Sequence, residues 1–227
     1  MPETTPIFSS VARHYDLLNR LLSLGIDRAW RKKLAEKTWG LARILDVATG
    51  TGDVAIEIAK RFPLAHVVGI DPSTEMLKLA SIKITESGLS ERIQLKEGVA
   101  EELPFPSCTF DAVTIAFGIR NTKDPLLSLK EMKRVLRKGG KVFLLEFGIP
   151  ENPIIKPLYS LYLNCIVPLM GRLFGRGSEY RYLAESIPQF PQRAEFESLM
   201  MKAGIKPQGF SELTFGTAIL YTGIKDQ

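Results

Sequence analysis

The spacing of apolar positions changes along the chain, and the changes divide it. Over residues 8–36, Val11, Tyr15, Leu18 and Leu22 recur three and four apart, which predicts an amphipathic helix. Gly25 breaks it, and Asp27 is expected to cap a second helix carrying Trp30 and Leu34. From residue 43 short apolar runs take over, at Arg43–Ala48 and His66–Ile70, and further strands are read at Ile93–Glu97, Phe110–Ala116 and Val142–Phe147. Between them, Val54–Arg61, Thr74–Ser87 and Leu126–Arg137 read as helices, the last stopped by Gly139-Gly140. Strands alternating with helices predict an α/β fold, a doubly wound, mostly parallel, Rossmann-like sheet. Runs as apolar as Val142-Phe143-Leu144-Leu145 suit strands buried on both faces.

Residues 153–183 interrupt the alternation. Ile154–Phe174 is mostly apolar, but Pro157 and Pro168 break it and Lys156, Asn164 and Arg172 add polar groups. It reads as a helical lid over an apolar pocket and not as a membrane span. Phe196–Ala203 reads as a last helix, and Lys206–Leu213 with Thr217–Thr222 as a closing antiparallel pair. The expected organisation is a single domain over 1–227, with an N-terminal helical segment (1–40), a core (41–150), a lid (151–190) and a C-terminal helix with closing strands (191–227).

Composition narrows the class. At 227 residues, 45% hydrophobic and 24% charged, the chain can bury a core unaided, which excludes disordered, collagen-like and disulfide-scaffold classes. Cys108 and Cys165 stand far apart and form no metal-ligand cluster, which fits a reducing compartment. The opening Met1-Pro2-Glu3-Thr4-Thr5-Pro6 lacks a basic start followed by an apolar run, so no signal peptide is expected and the expected location is cytoplasmic. A net charge of +5 reads as a solvated surface. Lys130, Lys133, Arg134, Arg137 and Lys138 fall on one helix without interleaved aromatics, so no nucleic-acid partner is expected. With two histidines, His14 and His66, and no acid–histidine spacing, no catalytic metal is expected.

The chemistry gathers after the first core strand. Gly50-Thr51-Gly52 follows a strand and opens a helix, the place where doubly wound sheets bind nucleotides. Asp71, about twenty residues on at the end of the second strand, can accept both hydroxyls of a ribose. Its alternative is a helix cap, since Pro72-Ser73-Thr74 looks like a helix start. Gly50, Gly52 and Ala55 also satisfy the dinucleotide pattern Gly-x-Gly-x-x-Gly/Ala. Two acids flank the loop, Asp46 before and Asp53 after. Negative charge there opposes a pyrophosphate and suits a sulfonium and an α-ammonium group. The ligand expected from these residues is S-adenosylmethionine. A nicotinamide-dependent oxidoreductase would want a Tyr-x-x-x-Lys pair after the fourth or fifth strand, and none stands there.

At this level of detail the chain resembles a known family. Ile44-Leu45-Asp46-Val47-Ala48-Thr49-Gly50-Thr51-Gly52 resembles motif I of class I S-adenosylmethionine-dependent methyltransferases. Tyr15-Asp16-Leu17-Leu18-Asn19, with Ser23 and Trp30, resembles the N-terminal pattern of the UbiE/MenG family of ubiquinone/menaquinone biosynthesis C-methyltransferases. Phe117-Gly118-Ile119-Arg120-Asn121, then Arg134-Val135-Leu136 with Gly139-Gly140 and Glu146-Phe147, and Tyr180-Arg181-Tyr182-Leu183-Ala184-Glu185-Ser186-Ile187 are similar to its remaining motifs. The chain departs from the family at Asp27 (His is usual), Arg137-Lys138 (Lys-Pro), Gly148 (Ser), Val99 (a polar residue) and Ala116 (often Ser).

The resemblance implies methyl transfer to a ring carbon of a polyprenylated hydroquinone, most simply demethylmenaquinol. The runner-up is another apolar small-molecule acceptor. It implies cofactor contacts from Asp46, Gly50, Thr51, Gly52, Asp71, Val99, Ala100 and Ala116, with the backbone of Ala100 serving the adenine. Arg120 is the preferred catalytic residue, as a cation that stabilises a phenolate, with Asn121 fixing geometry or binding a quinol oxygen. Tyr15 is a further catalytic candidate, and Tyr180 and Tyr182 are candidate substrate contacts. The apolar lid with Lys156, Arg172, Arg176 and Arg181 nearby suits peripheral contact with the inner face of a membrane, and a homodimer is left open.

Overall fold

The computed structural model describes Ser23, residues 25–169 and residues 177–226, with the backbone alone for 177–181 and Leu183. The predicted face of Val11, Tyr15, Leu18 and Leu22, together with His14 and Asp16, lies outside the described residues. Seven strands form one sheet in the order β3-β2-β1-β4-β5-β7-β6. They are β1 (Arg43–Val47), β2 (His66–Asp71), β3 (Ile93–Glu97), β4 (Phe110–Ala116), β5 (Leu136–Phe147), β6 (Ile205–Leu213) and β7 (Ala218–Lys225). Pairing is parallel across β3 to β5, while β7 is antiparallel to both β5 and β6.

Helices α1 (Asp27–Glu36), α2 (Asp53–Arg61) and α3 (Thr74–Glu86) contribute to one buried cluster, including Trp30, Leu34, Ile58 and Ile84. Helices α4 (Pro125–Val135) and α7 (Ala194–Lys202) contribute to the other, with Leu129, Met132, Phe196 and Met200. The sheet is thereby covered on both faces, as its continuous apolar strands require. The segment expected to form a lid carries α5 (Ile155–Leu161), a π turn (Tyr162–Ile166) and α6 (Gly177–Gln189). Among the described residues no helix is long and apolar enough to cross a membrane.

Three local expectations change. Asp27 does not cap α1. It lies inside the first turn, 2% exposed, where it accepts a hydrogen bond from Ser23 Oγ (2.9 Å) and pairs with Arg31 one turn on. A buried carboxylate keeps its charge at tolerable cost when a guanidinium answers it, and that need overrides capping. Next, α4 ends at Val135, before Gly139-Gly140, and β5 starts at once. Phe110 pairs with Leu136 but Ala112 with Lys141, so the glycines sit in a bulge, with Gly139 at φ +70°. Asp53 does not stand as a free acid beside the loop either, because Lys83 of α3 forms an ion pair with it.

Candidate active site

The sheet concentrates its unusual backbone at the carboxyl ends of β1 and β4. Ala48 (φ 50°) follows β1 and Phe117 (φ 58°) follows β4, both in the left-handed region that side chains resist. The two turns touch: a Cβ on Gly118 would lie 2.6 Å from the Ala48 Cβ. Glycine is therefore required at 118 for contact, with no demand from its dihedrals. Strain of this kind survives where surrounding structure enforces it, and it gathers at functional sites.

A cavity of about 150 Å3 opens beside these turns, lined by Asp71, Met76, Val99, Ala100, Phe117 and Asn121 among others. A smaller hollow shares Ala48 and Gly50 with it and is lined by Arg31, Asp46, Thr49, Thr51 and Ala116. The predicted cofactor residues thus divide between two adjoining spaces. Asp71, Val99 and Ala100 belong to the larger, Asp46, Thr51 and Ala116 to the smaller, and Gly50 to both. Gly52 lines neither. It precedes α2 at φ +82°, and a Cβ there would sit 3.3 Å from Ala80 Cβ, so this glycine lets α3 approach the loop.

Asp71 clamps two loops. Its Oδ2 accepts the Gly50 N–H (2.8 Å) and its Oδ1 the Ser73 N–H (2.9 Å). The cap of α3 is Ser73, whose Oγ accepts the Met76 N–H, so the alternative reading of Asp71 as a cap does not hold. Burial raises the Asp71 pKa, and these two N–H groups oppose the rise. Asp46 is sealed more tightly, with Thr49 Oγ1 donating at 2.6 Å and Thr114 Oγ1 at 2.7 Å. Burial raises its pKa from 3.8 to about 6, against the pull of both hydroxyls and of Arg31, while Asp71 adds to the rise.

Arg31 was missed by the sequence reading. It is 8% exposed, paired with Asp27, and its Cζ lies 5.2 Å from the centroid of the Phe117 ring. The usable signal was an acid and a base four apart on the face of α1 that also buries Trp30 and Leu34. The hollow therefore presents a carboxylate and a guanidinium side by side, a donor set that fits the ammonium and carboxylate of an amino acid. The larger cavity, with a clamped carboxylate and apolar walls, fits a nucleoside. Together they fit S-adenosylmethionine by charge and polarity, and Asp53, occupied by Lys83, has no part in the match.

Around the end of β4 a second group assembles. Arg120 lies in a single 3-10 turn (Ile119–Asn121), 9% exposed. Its guanidinium pairs with Glu146 of β5, its Nε donates to Ser186 Oγ of α6 (3.1 Å), and its Cζ is 5.7 Å from the Phe147 ring centroid. Asn121 Nδ2 donates to the Phe117 carbonyl (3.1 Å), and its Oδ1 accepts the Tyr182 hydroxyl (3.1 Å). Tyr159 of α5 is partly buried and stacks beside Tyr162, and loss of solvent pushes its pKa above the usual phenol range. Burial also raises Tyr182. Of the other expected residues, Tyr180 is placed on α6 by its backbone, and Tyr15 lies outside the described residues. His66 opens β2 at the far end of the sheet and cannot serve this site.

Comparison with known proteins agrees with this geometry. A profile of the ubiE/COQ5 methyltransferase family matches residues 3–225. The chain is 48% identical over 222 residues to the ubiquinone/menaquinone biosynthesis C-methyltransferase UbiE of Geobacter sp. (strain M21), covering 96% of this chain and 94% of that one. It is 43% identical to the demethylmenaquinone methyltransferase of Deinococcus radiodurans, covering 96% and 91%. Among solved structures, a SAM-dependent methyltransferase from Thermotoga maritima superposes with a TM-score of 0.66 at 20% identity, over 98% of this chain and 99% of that chain. One from Aquifex aeolicus gives 0.66 at 19%, over 92% and 97%. The structural likeness identifies the class I methyltransferase fold.

Proposed function

The chain belongs to the ubiE/COQ5 methyltransferase family, and from that premise we propose that it methylates a ring carbon of a polyprenyl hydroquinone, with demethylmenaquinol as the simplest acceptor. It is an S-adenosylmethionine-dependent C-methyltransferase of ubiquinone/menaquinone biosynthesis. The observation that carries the assignment of roles is the placement of Arg120 and Asn121 on the turn after β4, with Asn121 lining the larger cavity.

S-adenosylmethionine supplies an electrophilic methyl group on a sulfonium, so the protein's work is holding, orienting and deprotonating. Asp71 holds the ribose and the Ala100 backbone meets the adenine, where Val99 offers no side-chain hydrogen bond. Asp46 answers the ammonium. Arg31, held by Asp27 through Nη1, answers the carboxylate with its other N–H groups. The ring carbon of the acceptor becomes nucleophilic when a neighbouring phenol ionises, and a free phenol ionises near pH 10. A guanidinium is a cation and a fork of N–H donors, not a base, so Arg120 acts by stabilising the phenolate. Asn121, oriented by Tyr182, binds a quinol oxygen, while Tyr180 and Tyr182 contact the acceptor and Tyr15 joins from the N-terminal segment. The isoprenoid tail leaves past α5, where Ile154, Leu158 and Leu161 are exposed next to Lys156. An apolar face with a basic neighbour suits peripheral contact with an anionic leaflet.

The test supplies methyl-labelled donor with reduced, short-prenyl demethylmenaquinol and locates the label. We expect it on the ring carbon. Label confined to a hydroxyl oxygen would end the reading. Arg120→Lys should lower turnover by about a hundredfold or more, the scale for removing one donor to a developing oxyanion, while leaving S-adenosylhomocysteine affinity in place.

A further inference from the structure

Resting on the reading of this site as a quinol C-methyltransferase, we propose that Glu146 is the catalytic base, its Oε2 taking the proton of the acceptor's ring hydroxyl while Arg120 serves as the cation that both anions share. Glu146 is a charged residue inside an apolar strand, 2% exposed, one position before the end of β5. Its Oε1 is fully engaged, pairing with the Arg120 guanidinium and accepting the Phe147 N–H (2.9 Å). Its Oε2 is the buried side-chain polar atom, among the described residues, that has no hydrogen-bond partner. Leaving a buried acceptor unmatched is costly, and more so for a charged group. Such an atom in a native fold calls for an explanation, and a donor that arrives with the ligand is one.

The charges favour this assignment. Arg120 and Glu146 form a neutral pair. If the phenol lost its proton to water beside that pair, a net negative charge would appear in a site screened from solvent. If the proton passes to Glu146, net charge is unchanged: the O–H bond breaks, an Oε2–H bond forms, and the guanidinium faces the new phenolate. The ring carbon's electron pair then bonds to the donor methyl as the S–C bonding pair stays on sulfur. The ring C–H proton leaves to water, and Glu146 returns its proton to the ring oxygen. One proton is released per methyl transferred.

Among the described residues, the surroundings leave the role to Glu146. Asp46 has both oxygens held by threonine hydroxyls, and His66 is at the opposite end of the sheet. Besides pairing with Arg120, Glu146 acts through its charge on the phenols of Tyr182 and Tyr221. Burial raises both, and Tyr221 already accepts the Arg193 N–H (2.7 Å). Arg120 also contacts Ser186 of α6, an element outside the sheet, and the proposal has the acceptor reach the pair from that side.

The experiment compares wild type with Glu146→Gln and Glu146→Asp, on short-prenyl demethylmenaquinol and on a ring-halogenated analogue whose phenol is more acidic. Glu146→Gln should lose about a hundredfold or more in turnover on the ordinary acceptor, the range for a general base, with S-adenosylhomocysteine affinity unchanged. At least tenfold of that loss should return with the acidic analogue. Calorimetry in buffers of different ionisation enthalpy gives a second readout. Binding of the acidic analogue to wild type with S-adenosylhomocysteine should release almost no proton to buffer, and binding to Glu146→Gln up to one. Should Glu146→Gln fail to fold, Glu146→Asp carries the same comparison, with a smaller loss and the same rescue. Equal proton counts, or a loss identical for both acceptors, would overturn the proposal. A wild-type enzyme that fails to methylate ring carbon would instead remove the reading on which it rests.

Discussion

Asp46 shows how a single burial sets a pH dependence. Its pKa is about 6 in the fold against 3.8 in the open chain, so between those values the folded state binds the extra proton. The charged form thus costs stability above pH 6, and acidification toward pH 4 relieves the cost. Two pKa units correspond to about 3 kcal/mol as an upper figure. Asp46→Asn should raise the melting temperature of the ligand-free protein most at pH 7–8, and the advantage should shrink toward pH 4. S-adenosylmethionine affinity should follow the opposite sense. Wild type weakens below pH 6 as the carboxylate is neutralised, and the variant is weak and flat, which titration calorimetry across pH 5–8 reads directly.

Arg31 gives a cleaner test of the amino-acid subsite. Arg31→Gln should weaken S-adenosylhomocysteine by about tenfold to a hundredfold, the scale of one charge-assisted contact. 5′-Methylthioadenosine, which lacks the carboxylate, should bind as before. Equal losses for both ligands would place Arg31 in the scaffold alone. The residue was hidden in the sequence because a buried Asp27–Arg31 pair and an exposed one share the same letters four apart. Only burial tells them apart. Asp53 is the reverse case: it looked like part of the charge pattern, and a lysine from α3, thirty positions on, claims it. Glu146 sat in the motif that carried the family resemblance, yet nothing in its letter shows that one oxygen is left without a partner.

At the scale of elements, α1 couples the cofactor side to the far edge of the sheet. Trp30 donates from Nε1 to Thr214 Oγ1 (2.8 Å) in the β6–β7 turn, and its ring lies 6.2 Å from both Phe117 and Phe147. Trp30→Ala should therefore cost about 3–5 kcal/mol and, because the same helix carries Arg31, weaken cofactor binding as well. Thermal melts with and without S-adenosylhomocysteine separate the two effects. Gly118→Ala places a methyl group against Ala48. Overpacking of that kind costs about 1–3 kcal/mol, which should appear as a melting temperature lower by several degrees. Most strands were legible because a parallel sheet demands runs apolar on both faces, as in β4; the edge strand β3, apolar only at Ile93 and Leu95, also lies where it was expected. The boundary between α4 and β5 was not, since Gly-Gly signals a break without saying whether it ends a helix or bulges a strand.

For the whole molecule, a doubly wound sheet and a closing antiparallel pair followed from the alternation of elements, and the comparisons agree with that architecture. The helical interruption after β5 was legible, but not its π turn, which no periodicity of apolar positions encodes. Ile154 is 74% exposed, Leu158 64% and Leu161 57%, more than a surface helix needs for its own stability. Replacing Ile154 and Leu158 by serine should leave the melting temperature nearly unchanged, as for other exposed sites. It should reduce cosedimentation with anionic vesicles and spare turnover on a short-tailed acceptor in detergent. Unaltered vesicle binding would move the membrane contact elsewhere.

The Asp71 clamp also limits redesign of the enzyme. One carboxylate ties the glycine turn to the start of α3 while standing where sugar hydroxyls are expected. Tailoring the pocket to accept altered coenzymes by trimming this side chain would at once loosen the turn that shapes the neighbouring hollow. Synthetic donors with a changed sugar are therefore better accommodated by reworking Val99 or Met76, whose removal leaves that tether intact.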